Sequence, residues 1–153
     1  MDILERKVPP VAVFIIFIVA MVKFDQSLLS FAAEFPLPWW GLAVSVVLSG
    51  VVGLAGVYEF RKAKTTVNPV KVHDASTVVD SGIFAYSRNP MYLALLILLV
   101  GIGYWQQNII CLLLPIGFVL YMNRFQIQPE ERALETLFGV QYIDYKNRVR
   151  RWI

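Results

Sequence analysis

Histidine and cysteine are almost missing from this chain, each being represented once, by His73 and Cys111. A single cysteine excludes an intrachain disulfide framework and a cysteine-rich metal site. Cys111 lies in an apolar run, where packing is its natural role. His73 stands beside Asp74 with no second histidine or cysteine nearby, a poor start for a zinc site. It also leaves Thr77, Ser81 and Ser87 without an imidazole at a spacing that hydrolase chemistry uses. Charge is scarce as well: 16% of the 153 residues are charged and 58% are apolar, against about 25% and roughly 45–50% in soluble domains. Apolar stretches so long and numerous exceed what one small domain can hide in a soluble core, so the composition selects the lipid bilayer as partner. The net charge of +3 is small and its basic residues are dispersed, which argues against nucleic acid.

The hydrophobic runs predict an all-α membrane protein in a single domain over residues 1–153, with four transmembrane helices. Residues 8–21 (VPPVAVFIIFIVAM) form the first span. Lys23 and Asp25 follow it in place of a small-residue cleavage site, and Asp2 and Glu5 dilute the basic start, so a membrane segment is expected and not a signal peptide. Pro36 and Pro38 break the chain before Trp39 and Trp40, a pair suited to the headgroup region. The second span runs over residues 39–58, where Ser49, Gly50, Gly53 and Gly56 would let another helix approach closely. Residues 59–89 read as a polar loop with turn signals at Asn68-Pro69, Asp80 and Gly82. Pro90 suits a first helical turn. Residues 91–105 and 109–121, joined by the short polar turn Gln106-Gln107-Asn108, predict an antiparallel helical hairpin with Pro115 as a source of a kink. From Gln128 a C-terminal cytoplasmic amphipathic helix is expected, its stripe formed by Leu134, Leu137 and Phe138, broken near Gly139 and resumed to the end. Residues 1–60 thus hold the first two spans and 61–153 the loop, the hairpin and the C-terminal helix.

The basic residues support this layout. Arg6 and Lys7 precede the first span. Arg61, Lys62, Lys64, Lys71 and Arg88 lie between the second and third, and Arg124, Arg132, Lys146, Arg148, Arg150 and Arg151 follow the fourth; the opposite side receives Lys23. Both termini and the long loop are therefore expected in the cytoplasm, at a plasma (inner) membrane.

Three polar clusters remain at the cytoplasmic edge: Ser87-Arg88-Asn89-Pro90-Met91-Tyr92, Pro129-Glu130-Glu131-Arg132, and Phe138-Gly139 through Tyr142, Tyr145, Arg148 and Arg150-Arg151. Taken singly, such charges often only mark topology or reach for headgroups. Together, SGIFAYSRNPMYL and NRFQIQPEERALETLFGVQYIDYKNRV resemble the catalytic half of the isoprenylcysteine carboxyl methyltransferase and phospholipid methyltransferase-like membrane enzymes. The likeness reaches upstream through Thr65-Thr66-Val67-Asn68-Pro69. That family has Arg-His-Pro-x-Tyr, a helical hairpin, a Glu-Glu pair, then Phe-Gly-x-x-Tyr-x-x-Tyr and a basic ending. The order and spacing agree here, with Asn89 where eukaryotic members tend to have His.

The resemblance implies an S-adenosylmethionine site made by the end of the hairpin and the C-terminal helix, open to the cytosol and, at a second mouth, to lipid. Its residues would be Arg88, Asn89, Pro90, Tyr92, Glu130, Glu131, Phe138 and Tyr142. The donor's ammonium calls for an acidic group such as Glu130 or Glu131, its carboxylate for Arg88 or Asn89, and its adenine for a wall such as Tyr92 or Phe138. A carboxylate acceptor would be oriented by Arg124 or Arg148. For an amine or thiol, Glu131 would take or steer the proton. The acceptor is expected to be hydrophobic or lipid-linked, and the sequence leaves its identity open, along with the oligomeric state. Two other readings stay open at this point: a membrane reductase of the steroid-reductase type using a reduced nicotinamide cofactor, and a non-enzymatic scaffold. Gly101-Ile102-Gly103 has no preceding strand and reads as close helix packing, not a dinucleotide motif.

Overall fold

The computed structural model describes residues 5, 7–25, 32–63 and 77–153. Lys64, Thr65-Thr66-Val67-Asn68-Pro69, Lys71 and His73 lie outside the described residues, as do Asp2 and Arg6. The described chain is helical: α1 (Pro10–Asp25), α2 (Pro38–Lys62), a 3-10 turn (Gly82–Ala85), α3 (Pro90–Trp105), α4 (Ile109–Met122), a π turn (Asn123–Ile127), α5 (Gln128–Phe138) and α6 (Val140–Arg148).

Local chemistry explains most of the boundaries. Pro38 and Pro90 occupy the first turns of α2 and α3, where a missing N–H costs nothing. Arg61 and Lys62 close α2 and complement its dipole, carrying the helix a turn past the apolar run expected from sequence. Asn108, 2% exposed, caps α4 by accepting from the Ile110 and Cys111 amides at 2.9 and 3.4 Å. Asn108→Ala should lower stability by about 1 kcal/mol, seen as a reduced thermal midpoint in detergent; an unchanged midpoint would mean that this cap carries nothing. The turn before it pairs with the chain leading into α2: Gln107 Oε1 accepts from the Phe35 amide at 2.8 Å, and the Tyr104 hydroxyl donates to Pro36 O at 2.7 Å.

The structure amends three sequence expectations. The helix expected from Gln128 is present but is not separated from the fourth helix. α4 runs past Pro115, enters the π turn and continues directly as α5, so residues 109–138 form one helical stretch. Gly139, at φ 55°, breaks that stretch as expected, but helix resumes only to Arg148; Val149 is extended because residues 149–151 pair with the start of α3 instead. The close-packing stripe of α2 holds at Gly53 and Gly56 but loses Gly50 and extends back to Gly41 and Ser45. Gly41 lies under the Tyr104 ring, Ser45 faces Gly101, Gly53 faces Ala94 and Gly56 meets Pro90 and Met91, whereas Gly50 faces open space.

α3 is the centre of the bundle, packing against α2, α4 and α1, with α1 also lying on α4. Val13 and Met21 from α1, Leu99 from α3 and Cys111, Phe118 and Met122 from α4 form the core between them. α2 and the stretch Ile109–Phe138 are long and apolar enough to cross a membrane, and Pro90–Trp105 is a shorter apolar helix. Val47, Val51 and Leu54 of α2 are more than half exposed, an apolar surface that water would penalise and lipid would not.

Candidate functional site

Arg88 and Glu131 are 43 positions apart in sequence and form an ion pair at 2.7 Å, with side chains 8% and 6% exposed. The 3-10 turn and Pro90 aim Arg88 from the start of α3, and the continuous α4–α5 stretch carries Glu131 to the same level. Arg151 completes the cluster, its Nε donating to Glu131 Oε1 at 3.1 Å and its Nη2 to Oε2 at 2.6 Å. Two guanidiniums on one carboxylate hold it ionised, the condition under which a buried charge is tolerated. Arg88 also donates through Nη1 to the carbonyls of Lys146 and Val149, at 2.7 and 2.6 Å. Its buried Nε meets no hydrogen-bond partner among the described residues. Asn89 donates to Arg151 O at 2.9 Å, so the side chain next to Arg88 reads the same returning backbone.

One helical turn into α3, the Tyr92 hydroxyl donates to Glu130 Oε1 at 2.6 Å. Beside this pair lies an aromatic cluster in which Tyr142, Tyr145, Phe84 and Val149 are buried and Phe138 and Phe60 pack against them. Tyr145 donates to Phe84 O at 2.8 Å. Burial raises the phenol pKa values of both Tyr142 and Tyr145; the Glu131 carboxylate adds to the rise at Tyr142, and Arg88 opposes it at both. Both phenols therefore stay protonated well above the ordinary tyrosine range in the folded protein. A raised folded-state value means that stability is complete below the ordinary tyrosine value of 10.0 and declines as pH climbs from there towards the folded values. Alkaline unfolding beginning above that pH, and later in Tyr142→Phe, is the expected outcome; identical alkaline profiles would contradict it.

Of the residues expected from sequence, Arg88, Asn89, Pro90 and Tyr92 lie at the start of α3 and Glu130 and Glu131 in the first turn of α5, while Phe138, the last residue of α5, packs with Tyr142 of α6 in the aromatic cluster. Arg124 and Arg148 are placed differently. Arg124, on the π turn, pairs with Glu5 at 3.0 Å, an acid that Arg132 also holds at 2.9 Å. Arg148 pairs with Asp80 at 3.1 Å near the 3-10 turn. Sequence reasoning missed Arg151 as a member of the cluster, counting it as part of a basic ending. It also missed Trp152, whose Nε1 donates to Asn123 Oδ1 at 3.0 Å. No spacing rule flags either, because both contacts depend on the chain turning back after Arg148.

The phospholipid methyltransferase family matches residues 39–141, which include α2, α3, α4, α5 and the acidic pair. An uncharacterised protein of Haemophilus influenzae is 46% identical over 63 residues, 41% of this chain and all of that one. A protein-S-isoprenylcysteine O-methyltransferase of Mus musculus is 34% identical over 76 residues, half of this chain and 27% of that enzyme. Protein-S-isoprenylcysteine O-methyltransferase B of Arabidopsis thaliana is 28% identical over 118 residues, 72% of this chain and 58% of that enzyme. The chain thus spans only part of the length of the named methyltransferases it matches. No solved structure matches. With the family match running from the start of α2 into α6, and through the Arg88 and Glu131 positions, the chain belongs to the phospholipid methyltransferase family.

Proposed function

We propose that this protein transfers a methyl group from S-adenosylmethionine to a small hydrophobic or lipid-borne acceptor, a carboxylate, amine or thiol, at the cytoplasmic membrane face. The observation that carries this reading is the buried Arg88 cluster, in which Nε–H has no acceptor among the described residues. A carboxylate is the acceptor that such a donor favours most, and the methyl donor brings one. Glu130, hydrogen bonded to Tyr92 at the rim, is suited to the ammonium group. Tyr142 and Phe138 supply an aromatic wall for the adenine, and Asn89 and Pro90 shape the backbone beside Arg88. Glu131, saturated by two arginines, anchors Arg88.

The bound donor supplies an activated methyl group, so no protein nucleophile is required and the chain's work is to bind, align and exclude water. Arg124 and Arg148 remain the residues proposed to orient an acidic acceptor. Each would exchange its present carboxylate partner, Glu5 or Asp80, for the acceptor's.

The membrane arrangement proposed with this function is four spans, α1 to α4, with α5 and α6 as the amphipathic cytoplasmic segment. α1 and α3 have 16 residues each, about 24 Å at 1.5 Å per residue, and suit a locally thinned bilayer. Trp39 and Trp105 pack edge to face at 5.2 Å at the end of the bundle away from Arg88, where an outer headgroup belt would lie. The deciding experiment is calorimetric titration of detergent-purified protein with S-adenosylhomocysteine, and separately with a reduced nicotinamide dinucleotide phosphate. Binding of the first alone supports methyl transfer; binding of the second alone would make the protein a reductase, and binding of neither by folded protein would leave a scaffold.

A further inference from the structure

The residues after α6 do not trail into solvent. They lie across the start of α3, and each makes a separate attachment: Val149 O accepts from Arg88 Nη1, Arg150 O from the Arg88 amide at 3.0 Å, and Arg151 O from Asn89 Nδ2. The Trp152 indole then donates to Asn123 on the π turn. Residues 149–152 therefore form a strap between the starts of α3 and α5, and its only ionic anchor among the described residues is Arg151 on Glu131. We infer that Arg151 is a positioning residue for the methyl-donor site, acting through Glu131, and that the strap must be seated for that site to hold its ligand. This rests on the donor reading above.

The geometry gives Arg151 this role for three reasons. A planar guanidinium that spans both oxygens fixes the rotation of a carboxylate, which a single point contact does not. Glu131 so fixed presents Oε1 to Arg88 Nη2, and together with the strap carbonyls on Nη1 this sets the direction in which the unused Arg88 Nε–H points. Arg151 is also the outer member of the cluster, its side chain 29% exposed against 6% for Glu131. Truncating it leaves no sealed void, and Arg88 still covers one oxygen of the carboxylate, so the site can be loosened without being dismantled.

Coupling of this kind is reciprocal: if seating the strap favours the donor, the donor must favour the seated strap. The test uses full-length protein in detergent, titrated with S-adenosylhomocysteine as wild type, Arg151→Ala, Arg151→Lys and Trp152→Phe, with hydrogen exchange followed at the Arg88 amide. Arg151→Ala should weaken binding roughly tenfold or more, the loss of a charge-assisted bond on the carboxylate that sets Arg88. Arg151→Lys should recover part of it, having one contact where the arginine has two. Trp152→Phe, which removes the indole donation to Asn123 and leaves the Arg151–Glu131 pair in place, should weaken binding in the same direction. In the wild type, ligand should slow exchange of the Arg88 amide, whose acceptor is the strap itself.

If the wild type binds while Arg151→Ala and Trp152→Phe bind as tightly, or if ligand leaves Arg88 exchange unchanged, the inference is overturned and the donor reading survives. If the wild type does not bind, the donor reading fails first and the inference with it. Should Arg151→Ala not fold, Arg151→Lys and Trp152→Phe decide the matter alone.

Discussion

Glutamine in place of Glu131 is expected to abolish measurable binding of S-adenosylhomocysteine. The substitution is nearly isosteric, so the loss comes from charge. In the native protein one buried carboxylate is shared by Arg88 and Arg151, with contacts of 2.6 to 3.1 Å. An amide offers a single acceptor oxygen and turns an NH2 group towards at least one guanidinium, so two cations face each other without compensation. Removing one partner from a buried ion pair costs about 3–5 kcal/mol, and here the group removed serves two. Arg88 is then free to swing, and with it the Nε–H proposed to hold the donor carboxylate. Thermal unfolding should be measured beside the titration. A lowered midpoint with binding lost in protein that is still folded is the expected pair of results. Binding at wild-type strength would mean that Glu131 neither positions Arg88 nor meets the donor.

The second large effect is expected at Gly103. An added Cβ there would lie 2.5 Å from Cys111 O, 2.8 Å from its carbonyl carbon and 2.9 Å from Leu112 Cα. All three are backbone atoms of α4, so no side chain can rotate away, and α3 and α4 must separate along the hairpin. Overpacking of this kind costs about 1–3 kcal/mol or more, and separation would also disturb the start of the helical stretch that delivers Glu131. Gly103→Ala should therefore lower the thermal midpoint sharply. Gly50→Ala is the informative comparison, since that position meets nothing within 4 Å and alanine is the better helix former. Equal effects at the two positions would show that close packing in the hairpin is not what Gly103 provides.

The features legible in the sequence are those with local causes. Pro90 marks a helix start because a first turn needs no proline N–H, and Gln106-Gln107-Asn108 marks the hairpin turn, although that Asn108 also caps α4 was seen only in the fold. Gly139 breaks the C-terminal helix at a positive φ. Gly101 and Gly103 read correctly as packing positions, although only the fold shows that one faces α2 and the other α4. The small-residue stripe on α2 was legible at Gly53 and Gly56, but its continuation to Gly41 and Ser45 and the outward position of Gly50 were not. Gly50 fits the pattern as well as Gly41 and Ser45 do, and the choice between them depends on which side of α2 receives α3.

The chemistry of the candidate site was legible as residue types and order, since Arg88, Tyr92, Glu130, Glu131, Phe138 and Tyr142 stand in a recognisable succession. Its wiring was not. The sequence cannot say that Glu131 is filled by Arg151, because that contact needs the chain to leave helix at Val149 and return to α3. Nor can it say that Arg124 and Arg148 face Glu5 and Asp80, acids far away in sequence. The continuity of α4 into α5 was hidden for the opposite reason: Pro129 after a polar stretch looks like a fresh helix start, while the π turn that carries the helix through is held by Gln126 on Val8 O and Trp152 on Asn123. Composition and hydrophobic runs alone determined that this is a helical chain with helices apolar and long enough for a bilayer, because burial of apolar surface is additive along the sequence. Which charges pair, which glycines are indispensable and which N–H is left unused were decided by tertiary structure, because each depends on groups brought together from distant positions.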